Sequence, residues 1–175
     1  MKSLRDILKE SEEKGVAIGH FNISDLATLY GILDAAQAVS TSRKKVPLLI
    51  GVSEGERAFV GLENAVALVK AARKKYKWPI YLNADHTHDS EKAKAAIDAG
   101  FDEVLFDGSK LPFEENVRIT KDVVAYARAA SASRRSDVII EGELGYIGSA
   151  SEVLEKIPEG AEIQEKDLTT PEAAA

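Results

Sequence analysis

The sequence predicts an α/β fold, a partial (β/α)8 barrel with about five of its eight strands present, and three observations carry that prediction. Short apolar, β-rich runs alternate with longer segments of helical period along the chain. The strand runs are apolar on both faces, the pattern of parallel strands covered by helices on each side. Their starts recur at intervals of roughly 30 residues, and eight such units make about 250, the usual size of a closed barrel of the TIM type.

The first strand run is Val16–Phe21, and a helical segment over Ser24–Val39 follows it. Pro47–Ser53 pairs in the same way with Leu62–Lys75, Ile80–Ala84 with Asp89–Ala99, and Glu103–Phe106 with Pro112–Ala130. Val138–Glu143 is the fifth strand. Asp89 or Ser90 is placed to cap the third helix, and Gly100 to end it in a left-handed turn. Beyond the fifth strand, the polar stretch near 149–168 carries Pro158 and Gly160 without a clear period and reads as a long loop. Thr170 before Pro171 then marks a helix start, with proline at the first helical position. The sequence stops as that helix begins. Residues 1–175 therefore read as a single incomplete barrel domain from the N-terminal part of a longer chain, with an open five-stranded sheet as the alternative.

Composition narrows the function classes. With 45% hydrophobic and 30% charged residues the chain has the profile of a globular protein with a core. There is no run of about 18 apolar residues, and Met1 to Glu13 mix acidic and basic side chains, so neither a membrane span nor a secretory signal is expected. The expected location is the cytoplasm. The absence of cysteine removes disulfides and thiolate metal sites, leaving His, Asp and Glu as metal ligands. A net charge of −6 argues against nucleic acid and for a small ligand.

In parallel α/β folds the ligand site lies at the carboxyl ends of the strands. Here those ends read His20-Phe21-Asn22, Ser53-Glu54-Gly55, Asn83-Ala84-Asp85-His86-Thr87-His88, Phe106-Asp107-Gly108-Ser109 and Glu141-Gly142-Glu143-Leu144-Gly145. The third is the most informative, because an apolar strand that runs into Asp85 and His86 sets an acid beside an imidazole at the rim. Taken alone, His86 or His88 reads equally well as a cap for the next helix or as a solvated loop residue. Asp107 and Glu143 at neighbouring strand ends shift the balance toward a divalent-metal site, although a catalytic zinc takes three protein ligands and an open position. His20 beside Phe21 reads as packing or hydrogen bonding. Lys110, a Schiff-base candidate, reads as a loop-borne, solvated lysine, since a reactive amine needs a desolvated pocket.

Taken together, Gly19-His20-Phe21-Asn22, Val52-Ser53-Glu54-Gly55, Leu82-Asn83-Ala84-Asp85-His86, Phe106-Asp107-Gly108-Ser109 with Pro112-Phe113-Glu114-Glu115-Asn116, and Glu141-Gly142-Glu143-Leu144-Gly145 resemble the class II fructose-bisphosphate and tagatose-bisphosphate aldolases along nearly the whole chain. Each segment is weak alone, and five in order are specific. The resemblance implies a zinc-dependent lyase of carbohydrate metabolism that reversibly cleaves a ketose 1,6-bisphosphate to dihydroxyacetone phosphate and glyceraldehyde 3-phosphate, a homo-oligomer at full length. By similarity His86 is a ligand of the catalytic Zn2+ and Asp85 the acid/base at the substrate's C4 hydroxyl. Asp107 and Glu143 match positions that hold a second, alternative metal position, and Asn22 and Ser53 match polar residues at the substrate end of the mouth. The family's other two zinc histidines and its phosphate-binding segments come from strands six and seven, which are absent here. Its loop glutamate falls at Glu152 or Glu155.

Three readings follow, in this order: an aldolase portion that is inactive alone, a non-catalytic binding or assembly module derived from the fold, and a barrel enzyme that uses a lysine imine.

Overall fold

Each apolar run becomes a strand of one parallel sheet. The computed structural model describes residues 1–41, 45–134, 137–145 and 169–174. Within them β1 (Gly19–Asn22), β2 (Leu48–Ser53), β3 (Ile80–Thr87), β4 (Glu103–Phe106) and β5 (Ile139–Gly142) pair in the order β1-β2-β3-β4-β5. Every neighbouring pair is parallel. Parallel neighbours require a crossover, supplied by α2 (Leu26–Val39), by α3 (Glu54–Val60) with α4 (Leu62–Tyr76), by α5 (Ser90–Ala99) and by α6 (Phe113–Arg134). Strictly sequential order, with no point where it reverses, is that of an opened barrel wall and not of a doubly wound sheet.

The helix ends follow sequence chemistry. Asp89 caps α5 by accepting from the backbone N–H groups of Glu91 and Lys92, and Gly100 ends that helix with φ of 103°, a conformation that costs a residue without Cβ nothing. Thr170 Oγ1 accepts from Ala173 N at 3.2 Å where α7 (Pro171–Ala174) begins. The loop expected near 149–168, with Glu152 and Glu155, lies outside the described residues.

Two helices were not anticipated. The first, α1 (Leu4–Lys14), begins with a capping box in which Ser3 Oγ accepts from Asp6 N and the Asp6 carboxylate accepts from Ser3 N. The other, α3, starts directly on the strand, with Ser53 and Glu56 forming the same reciprocal pair. Its seven residues give no periodic signal, and only the Ser-x-x-Glu spacing marks it. The first strand also differs from Val16–Phe21: pairing begins at Gly19, and Val16 is exposed.

The expectation of apolar strands on both faces holds for one face only. Side chains alternate along a strand, and Leu48, Ile50, Val52, Ile80, Leu82, Ala84, Val104 and Phe106 form the outer face, buried with the helices in one cluster. Each large aliphatic side chain there contributes roughly 1.5–3 kcal/mol by leaving water. The opposite, inner face has its apolar cluster at its amino end, where Leu49, Tyr81 and Ile139 pack with Leu4, Ile7 and Ile18 under α1, and Tyr81 Oη donates to Lys2 O at 2.8 Å. Above that base the inner face carries Asn83, Asp85, Glu103 and Glu141. No helix among the described residues is long and apolar enough to cross a membrane.

Candidate active site

The polar layer of the inner face leads upward to the carboxyl ends of the strands. Regular β3–β4 pairing at Ala84 opposite Val104 gives way to Thr87 opposite Phe106, a bulge in which His86 adopts φ of 41°. A non-glycine residue in the left-handed region is strained and needs its surroundings to hold it there. The consequence is that Asp85 and His86, adjacent in sequence, both face the mouth.

His86 Nδ1 lies 2.9 Å from Asp107 Oδ2 and 3.2 Å from Glu143 Oε2. One ligand atom from each of the three residues falls within 4.8 Å of the other two. The Asp107 carboxylate is 8% exposed and the His86 ring 43%, so the acids form the floor and the imidazole opens to the mouth. Asp85 sits beside them, with Oδ1 at 4.0 Å from His86 Nε2. Thus four of the sequence-derived site residues converge, and the first three form a single cluster, where the resemblance separates His86 from an Asp107–Glu143 position.

The electrostatics fit a cation at this point. Burial opposes charge on His86, but the Asp107 hydrogen bond and the Asp85 and Glu143 charges outweigh it and raise its pKa. For Asp107, burial acts upward, and hydrogen bonds from Ser109 and His86 prevail and hold it low. Burial, then the Asp107 charge, push Glu143 up. Glu143 Oε2 is buried and has no hydrogen-bond partner, because its approach to His86 lacks the geometry of one. Such an orphaned carboxylate oxygen calls for a positive partner. One imidazole nitrogen and two carboxylate oxygens suit a borderline divalent ion such as zinc.

Asn22 and Ser53 are also placed at this end, with different contacts. Asn22 Nδ2 donates to Asp85 Oδ2 at 2.8 Å and lies 3.3 Å from Glu56 Oε2. The inner face must be bare for this: a Cβ on Gly51 would come within 2.1 Å of Asn22 Oδ1 and 2.4 Å of His20 Nε2. Ser53 is committed to capping α3. His20 shares the inner face, whereas Lys110 is exposed on the turn after β4. Neither His86 nor His88 caps α5; His88 borders the cluster, with Nδ1 3.3 Å from Asp107 O.

The residues that sequence reasoning missed are the supports. From α3, Glu54 accepts from His88 N at 3.1 Å and pairs with Lys92. Buried Arg57 donates to the carbonyls of Val52 and Asp85 and to Thr87 Oγ1. Asn116 of α6 donates to Glu143 O at 2.8 Å. Below the site, Asn83 Nδ2 donates to Glu103 Oε2 at 3.0 Å, and burial, then the Glu141 charge, push Glu103 up to about 7. Glu56 had a signal in the Ser-x-x-Glu spacing; Arg57, Asn83 and Glu103 had none.

Comparison with known proteins identifies the family. The family model described as "Fructose-bisphosphate aldolase class-II" matches residues 2–175. A fructose-bisphosphate aldolase of Geobacillus stearothermophilus is 40% identical over 149 residues, 83% of this chain and 48% of the relative. A probable fructose-bisphosphate aldolase of Bacillus subtilis is 38% identical with the same coverage. The chain thus spans about half the length of the curated relatives it matches. Among solved structures, the YdjI aldolase of Escherichia coli K12 superposes with a TM-score of 0.74 at 26% identity, covering 99% of this chain and 59% of that one.

Proposed function

The chain belongs to the class II fructose-bisphosphate aldolase family, and from that premise we propose that the protein reversibly cleaves a ketose 1,6-bisphosphate, of fructose or tagatose, with a zinc ion at His86. The observation that carries this reading is the convergence of His86, Asp107 and Glu143 within 4.8 Å, next to Asp85. His86 is the ligand that faces the mouth, and Asp107 and Glu143 offer the same ion an alternative seat or a second cation its own. When bound, zinc supplies Lewis-acid polarisation of the substrate's ketone.

The chain's own residues handle the proton and the orientation. Asp85 takes the C4 hydroxyl proton as the C3–C4 bond breaks; the C4 oxygen becomes the aldehyde of glyceraldehyde 3-phosphate. The electron pair left on C3 spreads onto the C2 oxygen, and a proton taken up at C3 yields dihydroxyacetone phosphate. Asn22 holds the Asp85 carboxylate through Oδ2, leaving Oδ1 toward the mouth. In this reading Ser53 serves the substrate end of the mouth through the position of α3. By the same resemblance the protein works in the cytoplasm as a homo-oligomer, which gel filtration tests.

The deciding experiment is an assay of fructose 1,6-bisphosphate cleavage by the full-length protein with added zinc, with a chelator and with Asp85→Asn, beside residues 1–175 alone, which the first reading expects to be inactive. Zinc-dependent cleavage abolished by the chelator and by the substitution is expected. Chelator-resistant cleavage trapped by borohydride would support the lysine-imine reading instead, and no cleavage by the full-length protein under any condition would support a binding or assembly module.

A further inference from the structure

Arg57 is 6% exposed, yet among the described residues no carboxylate lies within 4.0 Å of it to form an ion pair. Burial accordingly pushes its pKa down, while the charges of Glu54, Asp85 and Glu56 act the other way. Removing a guanidinium from water is costly unless its donors are used. They are used on one structure. Nη1 donates to Val52 O at the end of β2 and to Asp85 O at 3.0 Å, and Nη2 donates to Thr87 Oγ1 at 2.7 Å. Asp85 and Thr87 flank His86, whose φ of 41° makes the bulge. A planar fork holds acceptors on both sides of a strained residue from two nitrogens in fixed geometry, whereas the donors of a lysine ammonium all radiate from one freely rotating nitrogen.

We propose that Arg57 is a positioning residue that holds the Asp85 carbonyl on one side of His86 and the Thr87 hydroxyl on the other, fixing together the imidazole that would hold the metal and the Asp85 carboxylate that faces the substrate. The inference rests on the roles given to His86 and Asp85 above. It assigns to α3, an element with no side chain in the cluster, the task of keeping two neighbouring residues aimed at different atoms. Groups that orient a metal ligand from outside typically govern about 10- to 100-fold in metal affinity or activity, and Arg57 would act in that way through the two neighbours of His86.

The test compares, in the full-length protein, wild type with Arg57→Lys and with the milder Thr87→Val, each first shown to unfold cooperatively. Zinc affinity is measured by chelator competition, kcat and KM with fructose 1,6-bisphosphate, and the His86 ring-nitrogen signals by NMR in metal-free protein. For Arg57→Lys we expect zinc affinity and kcat to fall about 10-fold or more with KM changed less than about 3-fold, and the His86 signals to shift. Thr87→Val should move all three in the same direction by less. A folded Arg57→Lys protein with wild-type kcat, zinc affinity and His86 signals would overturn the proposal, since a merely structural arginine alters the unfolding midpoint alone. Should Arg57→Lys not fold, unchanged values in Thr87→Val overturn it equally. Failure of the wild type to cleave the sugar bisphosphate would count against the aldolase reading, while the zinc and NMR measurements still decide the role of Arg57.

Discussion

The two faces of the sheet use the same strands for opposite purposes. Outward, Ile50, Val52, Ile80, Leu82 and Val104 are at most 1% exposed and meet helices everywhere. Inward, one residue out of step with that face, the strands set Asn22, Asn83, Asp85, Glu103 and Glu141, groups that gain nothing from burial and cost stability when unpaired. The difference teaches that the outer face maintains the fold and the inner face spends part of that stability on chemistry. Each strand carries both, because side chains alternate.

Substitutions on the two faces should separate these roles. The largest effect is expected for Asp85→Asn on the inner face: kcat for sugar-bisphosphate cleavage should fall by about 10²- to 10⁴-fold, the usual range for a lost general acid/base. Its unfolding midpoint in denaturant should stay close to wild type, and a large loss of stability would break the comparison. On the outer face, Leu82→Ala should cost about 2–5 kcal/mol in denaturant unfolding through the cavity it leaves, while the zinc affinity of the folded protein stays unchanged.

Glu103 sharpens the contrast through pH. Its folded-state pKa of about 7 lies above the ordinary 4.5, so the folded protein holds the proton more tightly than the unfolded chain does. Stability is therefore fully present below pH 4.5 and is lost as pH rises toward 7, with a slope of at most about 1.4 kcal/mol per pH unit. The charges of Glu141, Asp102 and Asp85 act in the same direction as burial, and the Asn83 hydrogen bond acts the other way without outweighing them. Glu103→Gln should flatten that slope and leave the variant more stable than wild type above pH 7, as thermal unfolding across pH would reveal. The smallest effect is expected at Ser3→Ala, which removes the cap of α1 far from the site and should cost about 1 kcal/mol with kcat unchanged.

What the sequence determined by itself is the strand and helix alternation, the parallel sheet and the set of strand-end residues. Those follow from local signals: apolar runs such as Leu48–Ser53, caps such as Asp89, and the ordered segments around Asp85 and Glu143. The family could be read the same way, because its chemistry sits at strand ends and strand ends are visible as the points where apolar runs turn polar. Tertiary structure alone decided that His86, Asp107 and Glu143 form one cluster, that His88 borders it, and that Arg57 and Asn116 hold its backbone. It also decided that the inner face is polar, since β3 read alone, Ile80 to Thr87, does not say which of its sides meets helices. The physical reason is range: capping and periodicity act within a few residues, whereas Arg57 reaches Thr87 across 30 positions of sequence, and Asn116 reaches Glu143 across 27, only after the strands have paired.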